Sequence, residues 1–296
     1  MDILVLHPGA LGDVILSLPA LAALRRTFPD ATITFAGNLD YLPAVCSGYA
    51  HRLVSLSTLP LHSLFSPDPV PEQDRRFWMS FDRVLSWTGS GAPEFVRNLT
   101  SSHPCVLVVP WRPEAGEARH VSRIFVDSIR PWVGEQQEIA APAVSVSPAA
   151  AAQGERWLAE HGWNHTRLIA LHPGAGSRSK RWPAENFRQL AAGILKSGSQ
   201  PLVIEGPAEP DVFPGSSPSI LLARDLSLET LAAVLSMCTA FVGNDSGIAH
   251  LAAALGVPTL VLFGPTSPEQ WAPLGRHVRI LKGHGSSQIT TDHDPC

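Results

Sequence analysis

The sequence predicts an α/β fold in which two parallel sheets are each wrapped by helices. Short apolar runs alternate with longer segments of helical periodicity, which is the pattern of repeated β–α units. The length of 296 residues suits two domains of about 150 residues each. Residues 4–10 and 169–175 also read alike, each as a strand that ends in His-Pro-Gly-Ala. This repetition favours two similar halves, although loops after strands are rich in Pro and Gly in any case.

The first half, which we place at residues 1–147, begins with a buried strand and a long helix. Ile3–Leu6 is uniformly apolar and predicts the strand. The loop His7–Gly12 then leads into a helix of about 15 residues, which ends near Phe28. The other elements of this half are strands at residues 32–35, 53–56, 84–87 and 105–109 and a helix at residues 120–129. Pro and Gly interrupt residues 130–148, so we place the interdomain linker there.

The second half, which we place at residues 148–282, repeats this alternation. Its strands are predicted at residues 168–171, 201–205, 240–242 and 259–263. Its helices are predicted at residues 149–161, 184–196, 228–238 and 246–255. Residues 283–296 are polar and lack periodicity, so we expect an irregular tail.

Composition narrows the functional class. Lys and Arg number 22 against 26 Asp and Glu, so the chain lacks the basic excess of a nucleic-acid-binding protein. Four scattered cysteines without a CxxC pair argue against a zinc site or disulfides and fit a reducing compartment. No apolar run approaches the ~20 residues of a membrane span. Asp13 precedes any long apolar run, so we expect no signal peptide. These features predict a cytoplasmic protein.

The segment GNDSGIAHLAAALG at residues 243–256 predicts a strand end followed by a helix. Asp245 is placed to cap that helix, and the small residues Ser246 and Gly247 in its first turn leave backbone N–H groups open to an anion. Taken singly, Asp245 is better explained as a cap and His250 as a packed core histidine. In combination with the next segment, phosphate binding is the favoured interpretation.

That segment is HPGAGSRSKRWP at residues 172–183, between a predicted strand and a predicted helix. Gly174 and Gly176 allow a ligand to approach the backbone closely. Ser177 supplies a hydroxyl and Lys180 a positive charge for phosphate oxygens. The spacing is neither that of a Walker loop nor GxGxxG. The alternative is a solvated basic turn before a helix.

Gly12 and Asp13 follow the first predicted strand. A carboxylate in the first turn of a helix is usually structural, because it caps the helix and suits its dipole. Asp13 is therefore a capping residue by its position alone and a general base if a sugar nucleotide binds opposite it. The pair Asp292 and Asp294 lies in the predicted tail, and we reject it as a metal site.

Together, Gly12-Asp13, HPGAGS…KRWP and GNDSGIAHLAAALGVPTLVLFGPT resemble the bacterial glycosyltransferase family 9, from Met1 to about Leu281. That family includes the ADP-heptose:lipopolysaccharide heptosyltransferases. The resemblance implies a GT-B architecture, with two Rossmann-like domains facing a cleft. It also implies an inverting glycosyltransferase that uses no metal and no cofactor.

The resemblance implies roles for individual residues. Asp13 would deprotonate the acceptor, and Ser177 and Lys180 would hold the donor diphosphate. The start of the second motif would hold sugar and phosphates through Asp245, Ser246, Gly247 and His250, and Glu209 would lie near the nucleotide. The implied partners are a nucleotide-sugar donor, with ADP expected, and a lipid-linked or oligosaccharide acceptor such as lipopolysaccharide core. Membrane contact would be peripheral, at the inner face of the cytoplasmic membrane.

Two other functions fit the same motifs. One is a sugar-nucleotide epimerase or hydrolase of the GT-B fold, which would act on the donor alone. The other is a nucleotide-sugar-binding protein without turnover. The presence of Asp13 together with Lys180 and Asp245 favours the transferase over the binding protein.

Overall fold

The computed structural model describes residues 1–114, 116–135, 138–206, 212–213, 219–284 and 288–291. The chain divides into two compact units, Met1–Ala140 and Ala141–Cys296. Each unit contains its own sheet, as predicted. The boundary lies at Ala140 instead of residue 147, because the Val144 N–H donates to the Ala254 carbonyl at 2.9 Å and so attaches the intervening segment to the second unit.

The first unit holds a five-stranded parallel sheet. Its strands are β1 (Asp2–Leu6), β2 (Thr32–Gly37), β3 (Arg52–Ser55), β4 (Arg83–Ser86) and β5 (Val106–Val108). Its helices are α1 (Leu11–Thr27), α2 (Leu42–Cys46), α3 (Glu72–Met79), α4 (Pro93–Ser102), α5 (Val121–Ser128) and α6 (Arg130–Val133). The strand order is β3-β2-β1-β4-β5, and every pairing is parallel. The central strand β1 is buried along Ile3–Leu6, as expected of a parallel sheet covered on both faces.

The second unit holds a seven-stranded sheet. Its strands are β6 (Leu168–His172), β7 (Gln200–Glu205), β8 (Leu221–Arg224), β9 (Ala240–Asn244), β10 (Thr259–Phe263), β11 (Val278–His284) and β12 (Gln288–Thr291). Its helices are α7 (Pro148–Glu160), α8 (Ala184–Lys196), α9 (Leu228–Ser236), α10 (Gly247–Ala254) and α11 (Pro268–Trp271). The strand order is β12-β11-β10-β9-β6-β7-β8, and only the β11–β12 pairing is antiparallel among these described strands.

Both sheets follow the strand order of a Rossmann fold. In each unit the first strand lies between the second and the fourth, so the chain reverses its direction of travel between β1 and β4 and again between β6 and β9. Ligands of open α/β sheets bind outside the carboxyl ends of the strands at such a switch point. A ligand-binding site is therefore expected at the loops after β1, β4, β6 and β9.

Most predicted elements are confirmed, and several further ones are found. Helix α8 spans the predicted residues 184–196, and strand β10 spans the predicted residues 259–263. Helices α2, α3, α4, α6 and α11 and strands β8 and β11 were not predicted from the sequence. Helix α4 buries only a narrow stripe that includes Phe95 and Leu99, which is too short a pattern to separate it from a loop.

The prediction of an irregular tail over residues 283–296 is wrong for part of that segment. Strand β11 continues to His284, and Gln288–Thr291 pairs with it as β12. Main-chain pairing at a sheet edge does not require an apolar run. Ile-Thr-Thr favours β structure, but the polar composition of the segment led to the prediction of an irregular tail. Within the described residues, no helix is long and apolar enough to cross a membrane.

Candidate functional site

The loops after β6 and β9 are joined by Asn244, the last residue of β9. Its side chain is fully buried, and its amide nitrogen donates to the Pro173 carbonyl at 2.7 Å. Its amide oxygen accepts from the Trp182 N–H at 2.9 Å. Asn244 thus fixes both ends of the loop that carries Lys180. Asn244 was not among the predicted site residues, although an Asn at the end of an apolar strand is a usable signal in the sequence.

Lys180 and Asp245 form an ion pair at this switch point. Lys180 Nζ lies 2.7 Å from Asp245 Oδ2, and the Thr266 hydroxyl donates to the same oxygen at 2.7 Å. The side chain of Asp245 is only 6% exposed and that of Lys180 is 28% exposed. A nearly buried carboxylate needs such partners, so Asp245 holds the ammonium at the sheet edge. Thr266, in the loop after β10, is a third participant that the sequence analysis missed.

Ser246, not Asp245, caps helix α10. The Ser246 hydroxyl accepts from the Ala249 N–H, and Gly247 is the first residue of the helix. The expectation that Asp245 caps this helix is wrong, because its carboxylate turns towards Lys180 and Thr266 instead. The Ser246 hydroxyl also lies 3.1 Å from His172 Nδ1. The start of α10 therefore meets the end of β6.

His250 lies in the first turns of α10 and is buried, with 5% of its surface exposed. The structure therefore fits the packed-histidine interpretation of its position. A ligand role for His250 stays a prediction.

The loop after β6 presents Ser177 and Lys180 on a single turn. Residues Arg178–Lys180 form a 3₁₀ turn, and the Lys180 N–H donates to the Ser177 carbonyl at 3.2 Å. Ser177 is exposed, and its hydroxyl lies 3.0 Å from that of Ser179. Ser177 and the Lys180 ammonium therefore belong to one short, partly open segment.

The two glycines of this loop differ. Gly174 is buried, and its carbonyl accepts from the Asn244 amide at 3.3 Å. Gly176 is exposed, and a Cβ built there would meet no protein atom within 4 Å. Packing does not require glycine at position 176, so the backbone there is accessible from outside. A cavity of about 170 Å³ lies next to Gly174, between Arg181, Trp182 and Val212.

Asp13 lies in the first turn of α1 in the other unit. The Ala10 N–H donates to Asp13 Oδ2 at 2.9 Å, which confirms the predicted capping contact. Gly12 is the second residue of the same helix. Both are partly exposed. The carboxylate therefore sits at the positive end of a helix dipole, at the carboxyl end of β1.

Two residues near Asp13 were missed. His7 lies in the predicted loop after β1 but is fully buried there, and burial lowers the pKa of its imidazole to about 3. Burial also raises the pKa of Tyr41, and the negative charge of Asp13 adds to that rise. A cavity of about 220 Å³ adjoins this region at the ends of β4 and β5, where Trp87, Trp111 and Arg112 line it.

Three acidic residues that were considered from the sequence are not among the described residues. Glu209 lies outside the described residues, as do Asp292 and Asp294. Of the predicted donor residues, the structure brings together Lys180, Asp245 and Ser246. Asp13 belongs to the first unit.

Each unit has the parallel sheet and flanking helices of a Rossmann-like domain, and a chain of two such units has the GT-B class of fold that the sequence predicted. Two solved structures share it. Glycosyltransferase family 9 from Veillonella parvula matches with a TM-score of 0.78 at 22% identity, over 97% of this chain and 88% of that one. The ADP-heptose lipopolysaccharide heptosyltransferase II of E. coli matches with a TM-score of 0.72 at 19% identity, over 95% and 90%.

The family follows from the sequence match. The model of glycosyltransferase family 9 (heptosyltransferase) matches residues 126–294. This chain belongs to that family, as its motifs indicated. Lipopolysaccharide heptosyltransferase 2 of Salmonella typhimurium is 41% identical over 61 residues. That segment covers 21% of this chain and only 18% of the relative.

Proposed function

We propose that this chain is a metal-independent, inverting glycosyltransferase that moves a heptose or related sugar from an ADP-linked donor to lipopolysaccharide core or another surface glycan. The observation that carries the proposal is the meeting of Lys180 with Asp245 at the start of α10, at the switch point of the second sheet. Family membership and the names of the heptosyltransferases similar to it support the sugar class.

The second unit is the proposed donor site. Loss of a nucleoside diphosphate develops negative charge on the leaving phosphate, and fixed cations and dipoles can stabilise it. Lys180 would supply a charge-assisted hydrogen bond of about 1.5–3 kcal/mol. The partly buried N-terminus of α10, at Ser246 and Gly247, would add up to ~2 kcal/mol. Ser177 would hold a phosphate oxygen from the adjacent turn.

Asp245 and His250 are proposed to contact the sugar or phosphates from the same side. Asp245 already accepts hydrogen bonds from Lys180 and Thr266. Its first effect in our proposal is therefore to orient the Lys180 ammonium towards the diphosphate, and its carboxylate faces the hydroxyls of the donor sugar. Glu209 stays a prediction at the nucleotide.

Asp13 is the proposed general base. The acceptor hydroxyl would give its proton to the Asp13 carboxylate as its oxygen attacks the anomeric carbon. The bond from that carbon to the phosphate oxygen breaks, its electron pair leaves with ADP, and the anomeric configuration inverts. The N-terminal dipole of α1 favours the ionised carboxylate that this step requires. A positioned base contributes on the order of 10²–10⁴ in rate.

The acceptor is proposed to bind on the first unit. The cavity at the ends of β4 and β5 adjoins the loop after β1 and is lined by Arg112, whose guanidinium stacks over the Trp111 ring, a combination suited to an anionic sugar. A lipid-linked acceptor of this kind would place the protein in the cytoplasm, in peripheral contact with the inner face of the membrane.

The three functions separate in one assay. Purified protein is incubated with ADP-, UDP- and GDP-sugars, and donor binding and nucleotide release are measured with and without a lipopolysaccharide-core acceptor. The transferase predicts release that requires the acceptor, with an inverted anomeric signal in the product. Release or epimerisation without acceptor would identify the donor-only enzyme. Tight binding with no release under any acceptor would identify the binding protein.

A further inference from the structure

We infer that His7 and Tyr41 are positioning residues that hold Gly9 from two sides and thereby set the position of the Asp13 carboxylate. We call this set the Gly9 clamp. The inference rests on the proposed role of Asp13 as the base, and it assigns a purpose to two side chains that lie outside the predicted motifs. It is carried by hydrogen bonds and contacts within the first unit.

His7 holds the Gly9 N–H. That N–H donates to His7 Nδ1 at 2.8 Å. The imidazole is fully buried and packs among four aromatic rings, with ring centroids 5.3–6.0 Å away: Phe35, Trp87, Trp111 and Phe125. Rings packed at this density restrict its rotation. The acceptor atom for Gly9 is therefore fixed by the core of the unit.

Tyr41 holds the carbonyl of the same residue. Its hydroxyl donates to the Gly9 carbonyl oxygen. Tyr41 follows β2 and immediately precedes α2, and β2 is the neighbour of β1 in the sheet. Gly9 is thus held through its N–H by its own strand's end and through its carbonyl by the adjacent strand's loop. Both polar groups of one peptide residue are fixed.

Gly9 is in direct contact with Asp13. A Cβ on Gly9 would lie 2.6 Å from Asp13 Cβ and 2.3 Å from His7 Cε1, so only glycine fits between them. The next residue, Ala10, donates its N–H to Asp13 Oδ2 at 2.9 Å. A displacement of Gly9 therefore moves the group that orients the carboxylate. The charge of Asp13 also acts on Tyr41, where it adds to the rise in the pKa of the phenol.

His7 is suited to holding and not to proton transfer. Burial keeps its imidazole neutral, with a pKa of about 3, so Nδ1 remains an acceptor throughout the neutral range. A side chain needed only for packing among aromatic rings would be replaced by Phe without loss. The polar acceptor inside that cluster is explained by the Gly9 N–H that it receives.

The test compares stability with turnover in three variants. His7→Phe keeps an aromatic ring and removes the acceptor, His7→Asn keeps an acceptor oxygen and loses the ring, and Tyr41→Phe removes one hydroxyl. Tyr49→Phe is the matched control, since it is the other of the two tyrosines. Misplacement near a reacting group can cost up to about 10²-fold in rate, so we expect kcat to fall about 10-fold in His7→Phe and Tyr41→Phe, with the donor KM within two-fold of wild type.

The two His7 variants should rank in opposite orders. We expect His7→Phe to be the more thermally stable of the two variants. We expect His7→Asn to have the higher kcat. A merely structural role predicts that kcat follows stability instead. That outcome, or a kcat within two-fold of wild type in both His7→Phe and Tyr41→Phe, would overturn the inference.

A measurement without substrate separates this inference from the proposed function. Amide hydrogen exchange at Gly9 and Ala10 should accelerate at least 10-fold in His7→Phe and Tyr41→Phe but not in Tyr49→Phe. If Asp13→Asn keeps full turnover, the proposed base is wrong, and the clamp is judged by exchange alone. Unchanged exchange at both amides would refute the clamp whatever the role of Asp13.

Discussion

Lys180 Nζ lies 2.7 Å from Asp245 Oδ2, and this contact joins the loop after β6 to the residue before the cap of α10. The two residues are 65 positions apart in sequence, so the pair exists only because β6 and β9 are neighbours in the sheet. Asp245 is almost buried, whereas Lys180 keeps part of its surface open. The pair therefore presents a cation held in place by an internal carboxylate.

Replacing Lys180 by Ala should weaken ADP-sugar binding. A charge-assisted hydrogen bond of about 1.5–3 kcal/mol corresponds to roughly a 10- to 150-fold rise in Kd. Isothermal titration with a donor, or with ADP, measures it. Lys196→Ala is the control, because Lys196 is an exposed lysine at the end of α8. Equal affinity of wild type and Lys180→Ala would remove Lys180 from the diphosphate site.

Asp245 should become harmful to binding once Lys180 is gone. In Lys180→Ala the carboxylate loses its cation and repels the incoming diphosphate, since like charges in a partly buried site are costly. The double variant Lys180→Ala/Asp245→Asn should therefore bind ADP more tightly than Lys180→Ala alone. A double-mutant cycle on Kd measures the coupling. Strictly additive effects would show that the pair is not coupled in the donor site.

Asn244→Ala should destabilise the second unit. The change leaves the partly buried Trp182 N–H and the buried Pro173 carbonyl without their side-chain partner. An unsatisfied buried group costs about 1–3 kcal/mol, so the free energy of unfolding in urea should fall by that order. Asn186→Ala, on helix α8, is the matched control and should stay within about 0.5 kcal/mol of wild type. The same loss in both variants would show that the hydrogen bonds of Asn244 do not account for the loss of stability.

The stability of the protein should depend on the ionisation of His7. Its folded pKa of about 3 lies below the value of 6.5 expected when unfolded. Between these values only the unfolded state takes up the proton, so the free energy of unfolding falls as the pH is lowered from 6.5 towards 3, by up to about 1.4 kcal/mol per pH unit.

Comparison with His7→Phe isolates that dependence. Urea unfolding at several pH values should show a shallower acid loss for His7→Phe than for wild type, whereas His62→Phe, at an exposed position, should follow wild type. Parallel curves for wild type and His7→Phe would mean that the imidazole is solvated in the folded protein.

Local patterns predicted the fold well. The apolar run Ile3–Leu6, the periodicity of residues 184–196 and the Ser-Gly start of α10 are signals within a few residues of sequence. Such signals depend only on residues that are close in sequence, and the structure has the predicted strand or helix at each of these three positions. The parallel sheets follow from the alternation of these elements.

Contacts between distant residues could not be predicted. The Thr266 hydroxyl on Asp245 and the Tyr41 hydroxyl on Gly9 depend on strand order, which single-sequence periodicity does not contain. His7 lies in the loop that Pro and Gly predicted, but its burial against four aromatic rings could not be read from neighbouring residues. Which side chains complete the site is therefore a tertiary property.

The central claim is acceptor-dependent sugar transfer with Asp13 as the base. The most direct measurement is release of ADP from an ADP-sugar by wild type and Asp13→Asn, with and without a lipopolysaccharide-core acceptor, alongside donor Kd. We predict release only with acceptor, a fall of at least about 10²-fold in Asp13→Asn, and a donor Kd unchanged by that substitution. Release without acceptor, or equal turnover by wild type and Asp13→Asn, would contradict the account.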